Sequence, residues 1–324
     1  MSTPRTPLAG ATRRASLAGA TGMMFVGAGV AVSGVLADAA LYPAQALRYT
    51  LGCALLLLLA RCGGRVPHRP RGTEWLWLLG VSVTGLVVFN VALVRGSRHA
   101  EPAVLGVAVA CVPVVMAACG PLLEHRRPQA RVLCAALVVT AGSALVEGVG
   151  RSDTAGLLWA LVTFACEAAF TLLAVPVLPR LGAHGVSVHV TWLAALIFTV
   201  LGIATGSWPA LGRLDAADLL AIGYLATAVT AVAFVLWYSC VRTIGAARAG
   251  LLTGVAPAAA AAISVPVTGT APAPLVWVGI TVVALGLAVG LSEGPPHPRS
   301  TRTREPHRLD RAAAAVGHRP PARG

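Results

Sequence analysis

The sequence predicts an all-α membrane protein of ten transmembrane helices, arranged as two inverted five-helix repeats. Three observations carry that expectation. The 324 residues are 56% hydrophobic and only 11% charged, with mean hydropathy +0.77. Soluble domains carry about 25% charged residues, so this little charge cannot keep this much apolar surface in water. Ten apolar segments of bilayer length follow one another between turn and charge signals. Finally, the layout of the first five recurs in the second five, 144 positions further on. Five is odd, so a copy that starts on one side of a bilayer ends on the other, and the next copy runs through it in the opposite sense.

A bilayer-crossing helix needs about 20 mostly apolar residues. Segments 17–36, 43–60, 74–94, 102–122, 130–149, 155–175, 187–206, 216–240, 246–268 and 272–291 qualify. Within hydrocarbon the backbone must hydrogen-bond to itself, so each is expected to be a helix. The first follows Arg5, Arg13 and Arg14, as a signal peptide would. Its apolar run is longer than the roughly 7–15 residues of a signal h-region, and it reads as a retained helix. The organisation expected is a cytoplasmic segment over 1–16, a first repeat over 17–149, a second over 150–291 and a disordered basic tail over 292–324. The tail is rich in Pro, Arg and His and cannot bury enough apolar surface to fold alone. Near anionic headgroups each arginine is worth about 1 kcal/mol.

All 25 basic residues are arginine. With the N-terminus inside, thirteen arginines outside the tail fall on inner segments, and four (Arg95, Arg98, Arg151 and Arg213) on outer loops. Arginine excess marks the cytoplasmic side, so both termini are expected in the cytoplasm of a multi-pass cell-membrane protein. The net charge of +13 does not point to nucleic acid, because the arginines sit in loops and tail rather than on one groove-reading face. The seven cysteines lie mostly in or at the ends of apolar segments without C-x-x-C pairs. They read as small buried hydrophobes, with no metal or cofactor expected.

Superposing the halves pairs Arg98 with Arg242, Gly106 with Gly250, Pro113 with Pro257, and Gly142 with Gly286. The first half also carries Pro43-Ala44-Gln45-Ala46-Leu47-Arg48 and Gly120-Pro121-Leu122-Leu123-Glu124. The second carries Thr227, Trp237-Tyr238, Arg242 and Gly245-Ala246-Ala247-Arg248-Ala249. In order and spacing these motifs resemble an EamA-type member of the drug/metabolite transporter superfamily, over about residues 17–291. The resemblance implies ten helices in two inverted halves and a carrier of small polar metabolites, often an exporter of amino acids or related compounds. The family often has an acidic residue after the ninth helix; Thr268 stands there in this chain, which puts a symmetric role for Glu124 in doubt.

Several intramembrane residues are candidates for chemistry. Pro113 and Pro257 fall near the middle of corresponding spans. Each frees the carbonyl four residues back, so they read as kinks around a cavity or as packing bends. Glu167 sits near the centre of its span, where a charged carboxylate costs about 2.5–3.5 kcal/mol on insertion scales. A proton site, a ligand for a substrate amine and a neutral bond to a neighbouring helix all fit it. Arg48 fits either an anionic substrate group or a snorkel to the outer headgroups. Asn90 fits substrate contact or interhelical bonding. Trp192, with His189 on its face, and Trp237 and Tyr238 fit cavity lining or an interfacial belt. The patterns Gly250-x-x-x-Gly254 and Gly286-x-x-x-Gly290 permit close helix approach, within the monomer first and in a homodimer second.

The reading favoured is a secondary transporter, an exporter working by alternating access, with a small-molecule substrate and the lipid bilayer as partners. No Walker A sequence is present, so energy must come from a gradient. The alternatives are a non-transporting scaffold or sensor, and a membrane-embedded enzyme. The latter lacks H-E-x-x-H, paired intramembrane aspartates and G-x-S-x-G.

Overall fold

A computed structural model of the chain describes residues 7–33, 36, 39–64, 66–268 and 272–292. The expectation of a disordered tail falls on residues outside this set, as does the side chain of Thr268. The described chain is helical: α1 (Pro7–Ser33), α2 (Leu41–Cys62), α3 (Glu74–Gly96), α4 (Pro102–Leu123), α5 (Ala130–Glu147), α6 (Thr154–Leu172), α7 (Leu178–Ala204), α8 (Ala216–Ile244), α9 (Ala246–Leu251 and Val255–Thr268) and α10 (Pro274–Leu291). Nine helices among the described residues, α2 to α10, are long and apolar enough to cross a membrane. The protein is an all-α integral membrane protein.

Local chemistry explains most boundaries. Asp153 caps α6 by accepting from the Gly156 N–H at 2.7 Å. Asp215 and Asp218 close a reciprocal capping box at the start of α8. Gly245 alone separates α8 from α9 with φ +83, a left-handed conformation that a side chain would disfavour. Two helices begin earlier than hydropathy suggests. α1 starts at Pro7, because Ala, Leu and Arg around Arg13 are strong helix formers despite the charge. α7 starts at Leu178 and is broken at Gly182 (φ 70, ψ 166), so part of the stretch between the expected spans 155–175 and 187–206 is helical.

Irregular stretches fall at matching places in the two halves. α3 is π-wound over Val81–Val88, and α8 over Leu225–Val232, 144 residues later at both ends. α4 breaks at Cys111, two residues before Pro113, and α9 passes through a 3-10 turn at Leu252–Gly254 before Pro257. The bounds of α5 and α10 show the same offset. Packing follows suit: α2 lies against α7, α4 against α9 and α5 against α10, while α3 packs on α6 as α8 packs on α1.

The surface is apolar where a soluble protein is polar. Leu158 is 61% exposed and Leu220 76%, with Leu57, Leu58, Leu161 and Leu285 also exposed, as suits side chains facing hydrocarbon. Cys53, Cys166 and Cys240 are buried as expected, but Cys62, Cys119 and Cys134 are exposed. Membrane solvent accepts a thiol on the outer face as readily as a core does, so apolar context did not fix their burial. Small residues bring backbones together inside the monomer. A Cβ on Gly142 would lie 2.9 Å from the Gly279 carbonyl oxygen, and one on Gly279 would lie 2.7 Å from that of Gly142. Gly250, Gly254, Gly286 and Gly290 likewise meet Met116, Val139 and Leu251 of this chain, so these patterns serve packing within the monomer.

Gly142→Leu should therefore destabilise the protein by at least about 1–3 kcal/mol through overpacking of α5 on α10. Thermal unfolding in detergent measures this. Gly223→Ala, where an added Cβ meets nothing within 4 Å, should leave the midpoint unchanged or slightly higher.

Candidate functional site

The candidate polar residues resolve into two groups. The first joins α2, α3, α7 and α8. Arg48 is half-buried. Its Nε donates to Thr230 Oγ1 at 3.2 Å, its Nη1 to Gln45 Oε1 at 3.4 Å, and its guanidinium lies 5.1 Å from the centre of the Tyr49 ring. Thr230 belongs to the π-wound stretch of α8. Asn90 donates to the Tyr49 hydroxyl at 3.1 Å and to the Leu86 carbonyl at 2.6 Å. Tyr49 stacks on Phe198 with ring centroids 5.7 Å apart and planes 11° apart, and Tyr42 flanks Phe198 at 6.5 Å. Arg48 and Asn90, chosen separately from sequence, thus meet on one tyrosine. No carboxylate faces Arg48 in an ion pair among the described residues. An unneutralised guanidinium at this depth can hold an anionic group.

The second group lies where α6 meets α8. Glu167 is half-buried, within electrostatic reach of the Tyr238 phenol, and makes no hydrogen bond or ion pair with another described residue. Tyr238 donates to the Phe170 carbonyl at 3.1 Å and Trp237 Nε1 to Thr171 Oγ1 at 2.9 Å. Phe170 packs against Phe234 at 5.0 Å and Tyr238 at 5.2 Å. Trp237 and Tyr238 thus contact α6 in this conformation. α8 continues to Ile244, which places them well inside the helix, and both are buried against α6. Trp192 is half-buried on α7. Its Nε1 donates to His189 Nδ1 at 3.1 Å, which leaves His189 Nε2 to donate to the His68 carbonyl at 3.0 Å, and Trp75 packs edge-on against both rings. That cluster holds the loop before α3 against α7. Glu74 and Arg180 pair beside it. Tyr49, Phe198 and Thr230 were missed from sequence; Tyr49, a phenol inside an apolar run next to Arg48, was the one available signal.

A cavity of about 900 Å³ opens at the end carrying Arg126, Arg127, Arg242 and Arg248. Its walls come from the end of α4, the starts of α5 and α7, and the α8–α9 junction. Glu124 stands at its rim and accepts from the Ala246 N–H at 2.8 Å, tying the end of α4 to the start of α9. His125 beside it holds a left-handed φ of 56. At the opposite end, residues 97–102 and 151–153 form a clip. Ala100 and Ser152 make an isolated bridge, Glu101 pairs with Arg151 at 2.9 Å, and Asp153 with His99 at 3.0 Å. The Gly156 N–H, and after it His99, hold the Asp153 carboxyl below the usual carboxylate range. Hydrogen bonds from Arg151 do the same for Glu101.

A bundle of lipid-facing helices with broken spans, internal polar groups and an open cavity defines a membrane transporter. Residues 13–147 and 154–291 each match the EamA-like transporter family, and the chain belongs to that family. It is 24% identical over 248 residues to the uncharacterized transporter YetK of Bacillus subtilis (strain 168), covering 74% of this chain and 75% of that one. A solved crystal structure of a protein shares the fold with a TM-score of 0.70 at 18% identity, covering 85% of this chain and 96% of the other.

Two tests follow. Asn90→Leu should leave the Tyr49 hydroxyl without its donor and cost about 1–3 kcal/mol in thermal unfolding. The clip should make stability acid-sensitive. Asp153 and Glu101 are more acidic folded than unfolded, so their contribution is full above the unfolded pKa near about 4. It is lost as pH falls through the lower folded values. Unfolding midpoints should drop along that acid limb, and the Glu101→Gln/Asp153→Asn double variant should show a flatter one.

Proposed function

We propose that this protein is a secondary carrier that exports small polar metabolites from the cytoplasm by alternating access, with ten spans in two inverted halves. The observation that carries this reading is the register of irregular backbone. π-wound stretches at Val81–Val88 and Leu225–Val232 recur at one offset in corresponding helices, and the helices that break before Pro113 and Pro257 pack on one another. Freed backbone groups at membrane depth are tolerated where they line a cavity or find a neighbour. Paired discontinuous helices around a midplane site are a recurring carrier construction. The 27 residues of α1 supply the tenth span, and at about 1.5 Å per residue they are long enough to cross. Arginine bias supports cytoplasmic termini in the cell membrane, with the large cavity on the cytoplasmic side.

On this reading the conformation is open inward. The Tyr49–Phe198 stack and the Arg48–Thr230 bond close the outer end between the halves, and Arg48 and Asn90 take the polar head of the substrate when that contact parts. Glu167, deeper toward the cytoplasm and without a fixed partner, is the site where a proton or a substrate amine is carried. Rocking of one half against the other then exposes the site to each side in turn.

Proteoliposome flux with and without a pH gradient tests the proton role, after metabolite export profiling of overexpressing cells has supplied a substrate. Glu167→Gln should abolish the acceleration by the gradient and leave substrate exchange in place. Gradient-driven flux that survives Glu167→Gln unchanged refutes the proton site. An export profile identical to that of empty cells refutes the carrier.

A further inference from the structure

We infer that the cavity at the arginine-rich end is an anion-collecting vestibule, selecting solutes that carry a carboxylate or phosphate group. This rests on the carrier reading and narrows its substrate class. Arg126, Arg127, Arg242 and Arg248 line the cavity together with His125, and Glu124 is the one carboxylate among its lining residues. That carboxylate is already engaged by the Ala246 N–H. None of the four arginines joins an ion pair among the described residues. Arg248 is half-buried, and Arg242 lies along the broken turn of α7, its Nη1 3.5 Å from where a Cβ on Gly182 would sit.

Topological charge bias alone accounts for arginine in loops. It does not account for a 900 Å³ concavity whose carboxylates are absent or occupied. The opposite end supplies the comparison. Residues 97–102 there are the repeat partners of 241–246, and they also line a mouth. In that mouth Arg151 is matched by Glu101 and His99 by Asp153. Arg98, the repeat partner of Arg242, lines that mouth outside any ion pair among the described residues, so the two mouths differ in balance: two carboxylates stand with Arg98, Arg151 and His99 there, and one engaged carboxylate stands with four arginines and His125 here. A concave site of one sign with low-dielectric walls raises local counter-ion concentration and capture rates by about 10- to 1000-fold, and salt suppresses it. Solute captured there meets Arg48, a second cation without a carboxylate partner, further along the path.

The test is calorimetric titration of the full chain in neutral phosphatidylcholine nanodiscs with succinate, inorganic phosphate and uncharged succinamide. Succinate or phosphate should bind, with affinity falling at least tenfold in Arg242→Gln/Arg248→Gln and at high salt. Arg213→Gln should bind as the unaltered chain does. Arg242→Lys/Arg248→Lys, which keeps the charge, should retain binding and so separates lost charge from lost folding. Equal binding of succinamide, no binding of either anion, or an unaffected Gln double variant overturns the proposal. So does occupancy by phosphatidylglycerol headgroups in acidic discs with no binding of either soluble anion in neutral ones. Anion binding without flux would remove the carrier reading and leave the vestibule; flux without anion binding would do the reverse.

Discussion

The constraint on which the rest of this molecule depends is that hydrocarbon offers the backbone no hydrogen-bond partners. Each N–H and carbonyl at membrane depth must be satisfied by the protein itself, and the chain answers with helices from Pro7 to Leu291. Departures from regular winding are therefore informative. Proline at 113 and 257 removes a donor, and the helix breaks just before each. Eight-residue π stretches in α3 and α8 shift the hydrogen-bonding ladder by one residue while keeping it within the helix. π-winding is rare and clusters at functional sites. Here one such stretch presents Thr230 to Arg48, and the other turns Ser82 toward the Val190 carbonyl at 3.1 Å.

The bundle is held together by close approach rather than by a hydrophobic drive between helices, since lipid tails are as apolar as leucine. Gly142 and Gly279 let α5 and α10 touch backbone to backbone, and Gly27 lets α1 meet the carbonyl of Ala256. Polar contacts then specify which helices meet at each end: Glu124 with the start of α9 and Glu74 with Arg180 at one end, Tyr49 with Phe198 and Arg48 with Thr230 nearer the other. These contacts are short, local and few. Flat small-residue surfaces with a few end contacts can slide or rock without tearing a core.

Charge is distributed unevenly along this frame. At the mouth of residues 97–102 Glu101 and Asp153 pair with Arg151 and His99 and leave Arg98 outside an ion pair, while the cavity at residues 241–248 carries four arginines and one carboxylate.

Membrane class and the rough limits of most spans were readable in the sequence, because hydropathy over about 20 residues is a direct statement about solvent. The repeat was readable because Arg242 and Pro257 echo Arg98 and Pro113 at one spacing. Arg48, Asn90 and Glu167 were readable as costly polar groups in apolar runs, but their partners were not. Nothing local says that Tyr49 takes the Asn90 amide and stacks on Phe198, or that Trp237 is buried against Thr171. A phenylalanine or threonine in an apolar helix looks the same whether it faces lipid, a neighbour or a cavity. Only the packing of α2, α3, α6, α7 and α8 decides which, because that choice is fixed by residues on other helices, from about forty to about a hundred and fifty positions away.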